Sequence, residues 1–196
     1  MGNTARKFKI LAFDPGIGNT GWSLLEGNTA NKAMVILKMG ELHPGPVADR
    51  AANRDMVERF DKRTISLSLL SEYMTELIQT HRPDFVCCED IYISMAHPTA
   101  VTSLAMWVGV AKYTAYKNGL RLTVIPTKIC KKAITGSGGN GKLSVQASVV
   151  TNPNLSFKHE DDYRQMTEHE ADSIAVAVAL NENHRDYILA YLGQMQ

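Results

Sequence analysis

Four consecutive apolar residues, Phe85-Val86-Cys87-Cys88, lie between a helix-breaking His81-Arg82-Pro83-Asp84 and an acidic pair, Glu89-Asp90. A strand with one wet face alternates apolar and polar side chains, whereas an unbroken apolar run is what a strand covered on both faces requires. The chain is therefore expected to form a sheet with helices packed on each side. Upstream, residues 9 to 13 form a second short apolar strand ended by Asp14, and Asp14-Pro15-Gly16-Ile17-Gly18-Asn19-Thr20-Gly21 follows as a Gly- and Asn-rich turn. Residues 22 to 26 and 34 to 39 read as two further strands, so 9 to 40 make a three-stranded antiparallel meander.

Helical periodicity fills the intervals. Ile65, Leu69, Tyr73 and Leu77 stand four apart, with Leu70, Met74 and Ile78 beside them, which predicts a helix over 62 to 81 with one face on a core. Residues 98 to 118 are expected to be helical, 122 to 125 a strand, 127 to 135 a short helix, 142 to 150 a helix and 168 to 183 another. The stretch 41 to 61, with Pro44, Gly45 and Pro46, is expected to be a loop leading into a helix, and 151 to 166 mostly loop. The order of three strands, helix, strand, helix, strand and further helices implies an α/β mixed sheet flanked by helices on both faces. At 196 residues this is expected to be a single domain, 1 to 196.

The remaining composition narrows the function classes. Apolar runs such as Ile174 to Leu180 fall far below the roughly 18 residues of a bilayer span, so no membrane partner is expected. Cys87, Cys88 and Cys130 are odd in number, lack metal-ligand spacing and read as small buried residues in a reducing cytoplasm. The formal net charge of +1 conceals an asymmetry: no Asp or Glu occurs between Ile91 and His159, a stretch that includes Lys112, Lys117, Lys128, Lys131, Lys132 and Lys142. A solvated surface accounts for such a stretch, and so does a phosphate-binding face.

Two acids end apolar strands, Asp14 and Glu89, and a third, Asp172, sits three residues after His169 on one face of the last predicted helix. Each has an ordinary explanation: Asp before Pro-Gly is a common turn former, Glu89 would be satisfied by a salt bridge, and Asp172 by solvent. Their combination points elsewhere. Carboxylates removed from water need a counter-charge, and if the two strands are neighbours with the helix over them, the oxygen-rich cluster suits Mg²⁺, with Mn²⁺ as an alternative. A pair of such ions about 4 Å apart would activate water and steady the leaving oxygen of a phosphodiester. His169 would then be a ligand or a base toward the water; the sequence leaves both open. The Gly-rich loop 136 to 141 ends in Lys142, but Leu143 stands where a nucleotide-binding loop has Ser or Thr, so a backbone or scissile phosphate is the better partner. Tyr92 would present an aromatic ring either to the core or to bases.

With these residues in view, the chain resembles the RuvC-type Holliday junction resolvases, including phage-encoded members. Ile10-Leu11-Ala12-Phe13-Asp14-Pro15-Gly16 with Thr20-Gly21, Pro83-Asp84-Phe85 through Glu89-Asp90-Ile91-Tyr92, the series Lys131, Gly136 and Lys142, and Ala171-Asp172-Ser173-Ile174-Ala175 match that family's motifs in order. The resemblance implies a ribonuclease H-like fold, a homodimer, and metal-dependent cleavage of four-way junctions or other branched DNA. It implies that Asp14, Glu89 and Asp172 ligate metal and that His169 fills a fourth position held by Asp or His in relatives. Lys142 would act at the scissile phosphate, and Lys128, Lys131, Lys132, Lys142 and Tyr92 would contact DNA. The competing expectations are a junction-binding protein of the same fold without activity, and an actin-like or sugar-kinase ATPase, whose phosphate loop the 14 to 21 turn also resembles but which needs a second, duplicated domain.

Overall fold

The computed structural model describes residues 5–16, 18–91, 98–136, 142–159 and 162–194, with the side chains at 51, 98, 142–144 and 162 outside that set. Its centre is a six-stranded sheet: β1 (Lys7–Asp14), β2 (Thr20–Asn28), β3 (Met34–Leu42), β4 (Phe85–Glu89), β5 (Leu122–Ile125) and β6 (Leu155–Phe157). The spatial order is β5-β4-β1-β2-β3-β6. The expected meander is present as two antiparallel pairs, and β4 runs parallel to both β1 and β5. Asp14 and Glu89 therefore finish neighbouring strands at the same end of the sheet.

Helices cover both faces. On one, α3 (Lys62–His81) and α4 (Pro98–Lys117) pack Leu70, Met74, Ile78, Trp107 and Ala111 on Leu11, Phe13, Leu24, Val86 and Cys88. On the other, α5 (Thr127–Thr135), α6 (Lys142–Thr151), α7 (Glu168–Asn183) and α8 (Arg185–Gln194) close over Ile10, Ala12, Leu25, Ile36, Phe85 and Cys87. The run Phe85 to Cys88 is apolar throughout because alternate residues serve opposite cores. Helix α7 is buried nearly all round from Ala171 to Asn181, which is why its sequence is apolar without helical periodicity.

The structure departs from the sequence expectations along two stretches. Strand β3 extends to Leu42, and two short helices, α1 (Pro44–Ala48) and α2 (Arg54–Phe60), precede α3 in place of the expected loop and single helix. Within 151 to 166, Leu155–Phe157 pairs in parallel with Met34–Ile36 as an edge strand. Three residues are too few to carry a pattern, and their conformation is set by a neighbour about 120 positions away. Helix α8, on which the sequence pattern is silent, packs Ile188 and Leu192 into the α7 side of the core.

Candidate active site

The two strand ends are fixed from below. Asp84 binds β1 twice, accepting from the Lys9 amide through Oδ2 at 2.8 Å and donating its own amide to the Lys9 carbonyl at 2.9 Å. This sets the parallel register that runs from Ile10 opposite Phe85 to Phe13 opposite Cys88, so one further step leaves Asp14 beside Glu89. The turn after Asp14 is held by Thr20, whose Oγ1 donates to the Gly16 carbonyl at 2.7 Å and accepts the Trp107 indole N–H at 3.0 Å. The motif residues Pro83-Asp84 and Thr20-Gly21 thus shape the strand ends.

Helix α7 enters above them. Thr167 and Glu170 form a reciprocal capping box, with the Glu170 amide donating to the Thr167 hydroxyl and the Thr167 amide to the Glu170 carboxylate. Opposite Asp14 on β2 stands Gly21; a Cβ there would lie 2.1 Å from the His169 carbonyl oxygen. The missing side chain lets the first turn of α7 sit directly on the sheet and brings His169 Nδ1 to 2.7 Å from Asp14 Oδ2.

Charge is concentrated here. Asp14 is buried. Burial first, and then the Asp14 and Asp172 charges, push the Glu89 carboxyl up to about 8, with the nearby Thr127 hydroxyl acting in the opposite direction. The hydrogen bond to Asp14 holds the His169 imidazolium form above its usual range, and the Asp14, Glu41 and Glu168 charges add to it against desolvation. Burial drives the Cys88 and Cys130 thiols far upward, leaving them as inert core residues.

The fold thus gathers Asp14, Glu89, Asp172 and His169 at one end of the sheet. Among the described residues, no three His, Cys, Asp or Glu side chains are already gathered as closely as a metal ion needs. The donor chemistry nevertheless fits a hard divalent cation: the donors are carboxylate oxygens with one imidazole, and the Asp14 and Asp172 charges disfavour ionised Glu89 in a way that a positive charge among them would relieve.

Helix α5 begins beside Glu89, since Ile125 of β5 is the register partner of Glu89. Its outward side bears exposed Lys128 and Lys132 and half-buried Lys131, while Cys130 and Ile134 face the core. Lys142 is the first residue of α6; its side chain, and all of Tyr92, lie outside the described residues. Two further residues join the site. Glu41 is the β3 partner of Gly21, which places it in the same cross-sheet row as Asp14, and its Oε2 lies 3.7 Å from His43 Nε2. Thr127, the first residue of α5, donates its hydroxyl to the Asp90 carbonyl at 3.5 Å, next to Glu89. Glu41 carries the signature that identified Asp14 and Glu89, an acid at the end of an apolar strand, but the following Pro44-Gly45-Pro46 assigns it to a loop. Nothing in the sequence distinguishes Thr127.

Comparison with known proteins agrees with this geometry. The family model for crossover junction endodeoxyribonuclease RuvC matches residues 10–180. The RuvC of Granulibacter bethesdensis is 29% identical over 178 residues, covering 90% of this chain and 86% of the relative, and that of Zymomonas mobilis is 25% identical, covering 89% and 91%. Among solved structures, T. thermophilus RuvC in complex with a Holliday junction substrate has a TM-score of 0.70 at 17% identity, covering 91% of this chain and 95% of that one. The yeast mitochondrial Holliday junction resolvase has a TM-score of 0.59 at 13% identity, covering 87% and 76%. These two likenesses show the ribonuclease H-like resolvase fold. With 171 consecutive positions matched by its model, the chain belongs to the crossover junction endodeoxyribonuclease RuvC family.

Proposed function

We propose that this chain, a single nuclease domain over residues 1 to 196, hydrolyses phosphodiesters in four-way DNA junctions and other branched DNA, using a divalent metal held by Asp14, Glu89 and Asp172. One observation carries the reading: the buried Asp14 and the half-buried Glu89 end adjacent parallel strands, close enough for the charge of Asp14 to raise the Glu89 carboxyl, with His169 Nδ1 2.7 Å from Asp14 Oδ2. An ordinary ion pair would account for Asp14 and His169 alone; it leaves Glu89, at the end of the next strand, raised by the Asp14 and Asp172 charges. Mg²⁺, or Mn²⁺ in its place, supplies Lewis-acid polarisation of the phosphate and lowers the pKa of water.

The chain's own residues do the rest. Asp14, fixed by its strand and by His169, and Glu89, fixed at the end of β4, set where the scissile phosphate can stand. His169 presents Nδ1 to Asp14 and keeps Nε2 for the water side, as ligand or as proton acceptor. Lys128, Lys131 and Lys132 on α5 neutralise backbone phosphates, Lys142 approaches the scissile one, and Tyr92 serves unpaired or distorted bases. No helix among the described residues is long and apolar enough to cross a membrane, and the reading places the work on cytoplasmic DNA. Cleavage of two strands requires two sites, and a homodimer supplies them.

Asp14→Asn tests the reading. It is expected to abolish Mg²⁺- and Mn²⁺-dependent nicking of a synthetic four-way junction while leaving junction binding within about threefold. Retained cleavage overturns the assignment of Asp14. If the wild-type protein binds junctions but cuts no branched substrate with either metal, the chain is a junction-binding protein of this fold instead.

A further inference from the structure

A groove of about 760 Å³ runs from the C-terminal half of α3 to the first turn of α7, within the roughly 300–1,000 Å³ that holds a small ligand. Thr167 and Glu170 line it and flank His169, so it begins within one helical turn of the proposed catalytic site. One wall is the outer edge of β3. The Lys158 amide meets the Ile36 carbonyl at 2.9 Å where β6 leaves β3, and Leu37, Lys38 and Met39 continue with no strand outside them. Trp22 is half-buried here. Its indole lies over Gly40, where a Cβ would come 2.9 Å from Nε1 and 3.1 Å from Cε2. It also stacks on the His81 ring at 22°, with centroids 6.2 Å apart. Atoms in full face-to-face contact stand about 3.5–4 Å apart, so this pair is offset and part of each ring face stays open. Burial first, and then the Lys38 and Lys9 charges, hold His81 below its usual range, so it stacks as a neutral ring near neutral pH.

Lys38 and Lys158 line the same groove, both are exposed, and neither is in an ion pair among the described residues. Of the acids there, Glu170 is occupied by the Thr167 amide and Glu76 is exposed on α3. An aromatic platform beside two such cations is the chemistry that receives an unpaired strand: every base has a π-face to stack, and the phosphates on either side of it need counter-charge. We propose that this groove binds an unpaired nucleotide of branched DNA, with its base on the Trp22–His81 pair and its phosphates at Lys38 and Lys158. The proposal rests on the reading of the chain as a branched-DNA nuclease and deepens it, since the groove selects single strand whereas the α5 lysines neutralise a backbone of either form.

The chain has two tryptophans, and Trp107 is 1% exposed with its indole N–H on Thr20, so a bound base can stack only on Trp22. Titrating the whole chain with oligo(dT) in a chelator is expected to quench tryptophan fluorescence saturably. By anisotropy of labelled oligo(dT), Trp22→Leu is expected to bind at least about fivefold more weakly, the lower end of what one stacked base contributes. Lys38→Ala combined with Lys158→Ala is expected to reduce the slope of log K against log salt by about 1.4, near 0.7 for each phosphate contact on a single strand. Oligo(dT) binding without quenching overturns the inference and leaves the free β3 edge to an extended peptide. An affinity that Trp22→Leu leaves unchanged overturns it, and so does a salt slope that the lysine pair leaves unchanged. If Trp22→Leu does not fold, the lysine pair, which is exposed, decides alone. Nicking of a fully paired four-way junction separates this inference from the reading beneath it. Wild-type protein that nicks that junction with Mg²⁺ but binds no oligo(dT) sinks the inference and keeps the reading, whereas quenching by oligo(dT) without cleavage of any branched substrate sinks the reading alone.

Discussion

Glu89 and His169 are both displaced toward their protonated forms, and the displacement has a consequence for stability that separates this site from an ordinary buried pair. Glu89 is raised from 4.5 to about 8 by burial and by the Asp14 and Asp172 charges. A group whose folded pKa is raised contributes stability that is complete below its unfolded pKa and is lost as pH climbs through the folded one. For Glu89 that window runs from about 4.5 to about 8. His169, raised by its hydrogen bond to Asp14, loses its contribution in the same direction as pH rises past 6.5 and through its folded value. Metal-free protein is therefore expected to lose thermal stability between about pH 4.5 and about pH 8, as followed by calorimetric melting in a chelator. Glu89→Gln, which cannot ionise, is expected to flatten most of that slope. A wild-type slope that Glu89→Gln leaves unchanged shows that the carboxyls are not in conflict, and the case for a shared counter-charge weakens with it.

At the scale of elements, the site depends on how closely α7 approaches the sheet, and Gly21 sets that distance. Gly21→Ala brings a Cβ to 2.1 Å from the His169 carbonyl oxygen and 2.8 Å from its Cβ, so backbone rather than a flexible side-chain tip must move. Overpacking of this kind typically costs about 1–3 kcal/mol. Because the displaced turn carries His169 and leads to Asp172, junction nicking is expected to fall at least tenfold with the overall fold kept; circular dichroism with a cleavage assay checks both. Elements whose pattern is local are legible in the sequence. The breaker at 81–84, the four-residue stripe of α3 and the all-apolar β4 each record the burial they experience. Asp14, Glu89 and Asp172 are legible for a related reason, since acids beside apolar runs stand out. Strand β6 is not, because its pairing with β3 is written in neither Leu155, Ser156 nor Phe157 but in the position of a distant strand. Glu41 is hidden by the prolines behind it, and Thr127 is an ordinary helix-starting residue until the fold sets it beside Glu89.

Taken as a whole, the molecule faces DNA with a modest net charge, so its cations must be placed where they are used. A triple Lys128→Ala, Lys131→Ala, Lys132→Ala variant is expected to weaken binding to any DNA, and to reduce the slope of log K against log salt by up to about 3, near one unit for each phosphate that is no longer neutralised. An unchanged slope in filter or anisotropy titrations removes α5 from the DNA interface. The proposed paired cleavage adds a second whole-molecule expectation, a partner subunit. Helix α4 bears no acidic residue, and it exposes Met106, Tyr113 and Tyr116 at 41%, 62% and 75%, with open space over Gly109 between them. Met and Tyr are residue types enriched at interfaces, and the spacing 106, 109, 113 and 116 keeps them on one side of the helix. Self-association through this face would pair α4 with itself about a two-fold axis. Tyr113→Asp combined with Met106→Asp is therefore expected to convert a dimer to a monomer in sedimentation equilibrium. The monomer should retain metal-dependent nicking but release singly nicked junctions rather than paired products. A variant that stays dimeric puts the interface elsewhere on the surface, and a monomer that still makes paired cuts removes the need for two sites acting together.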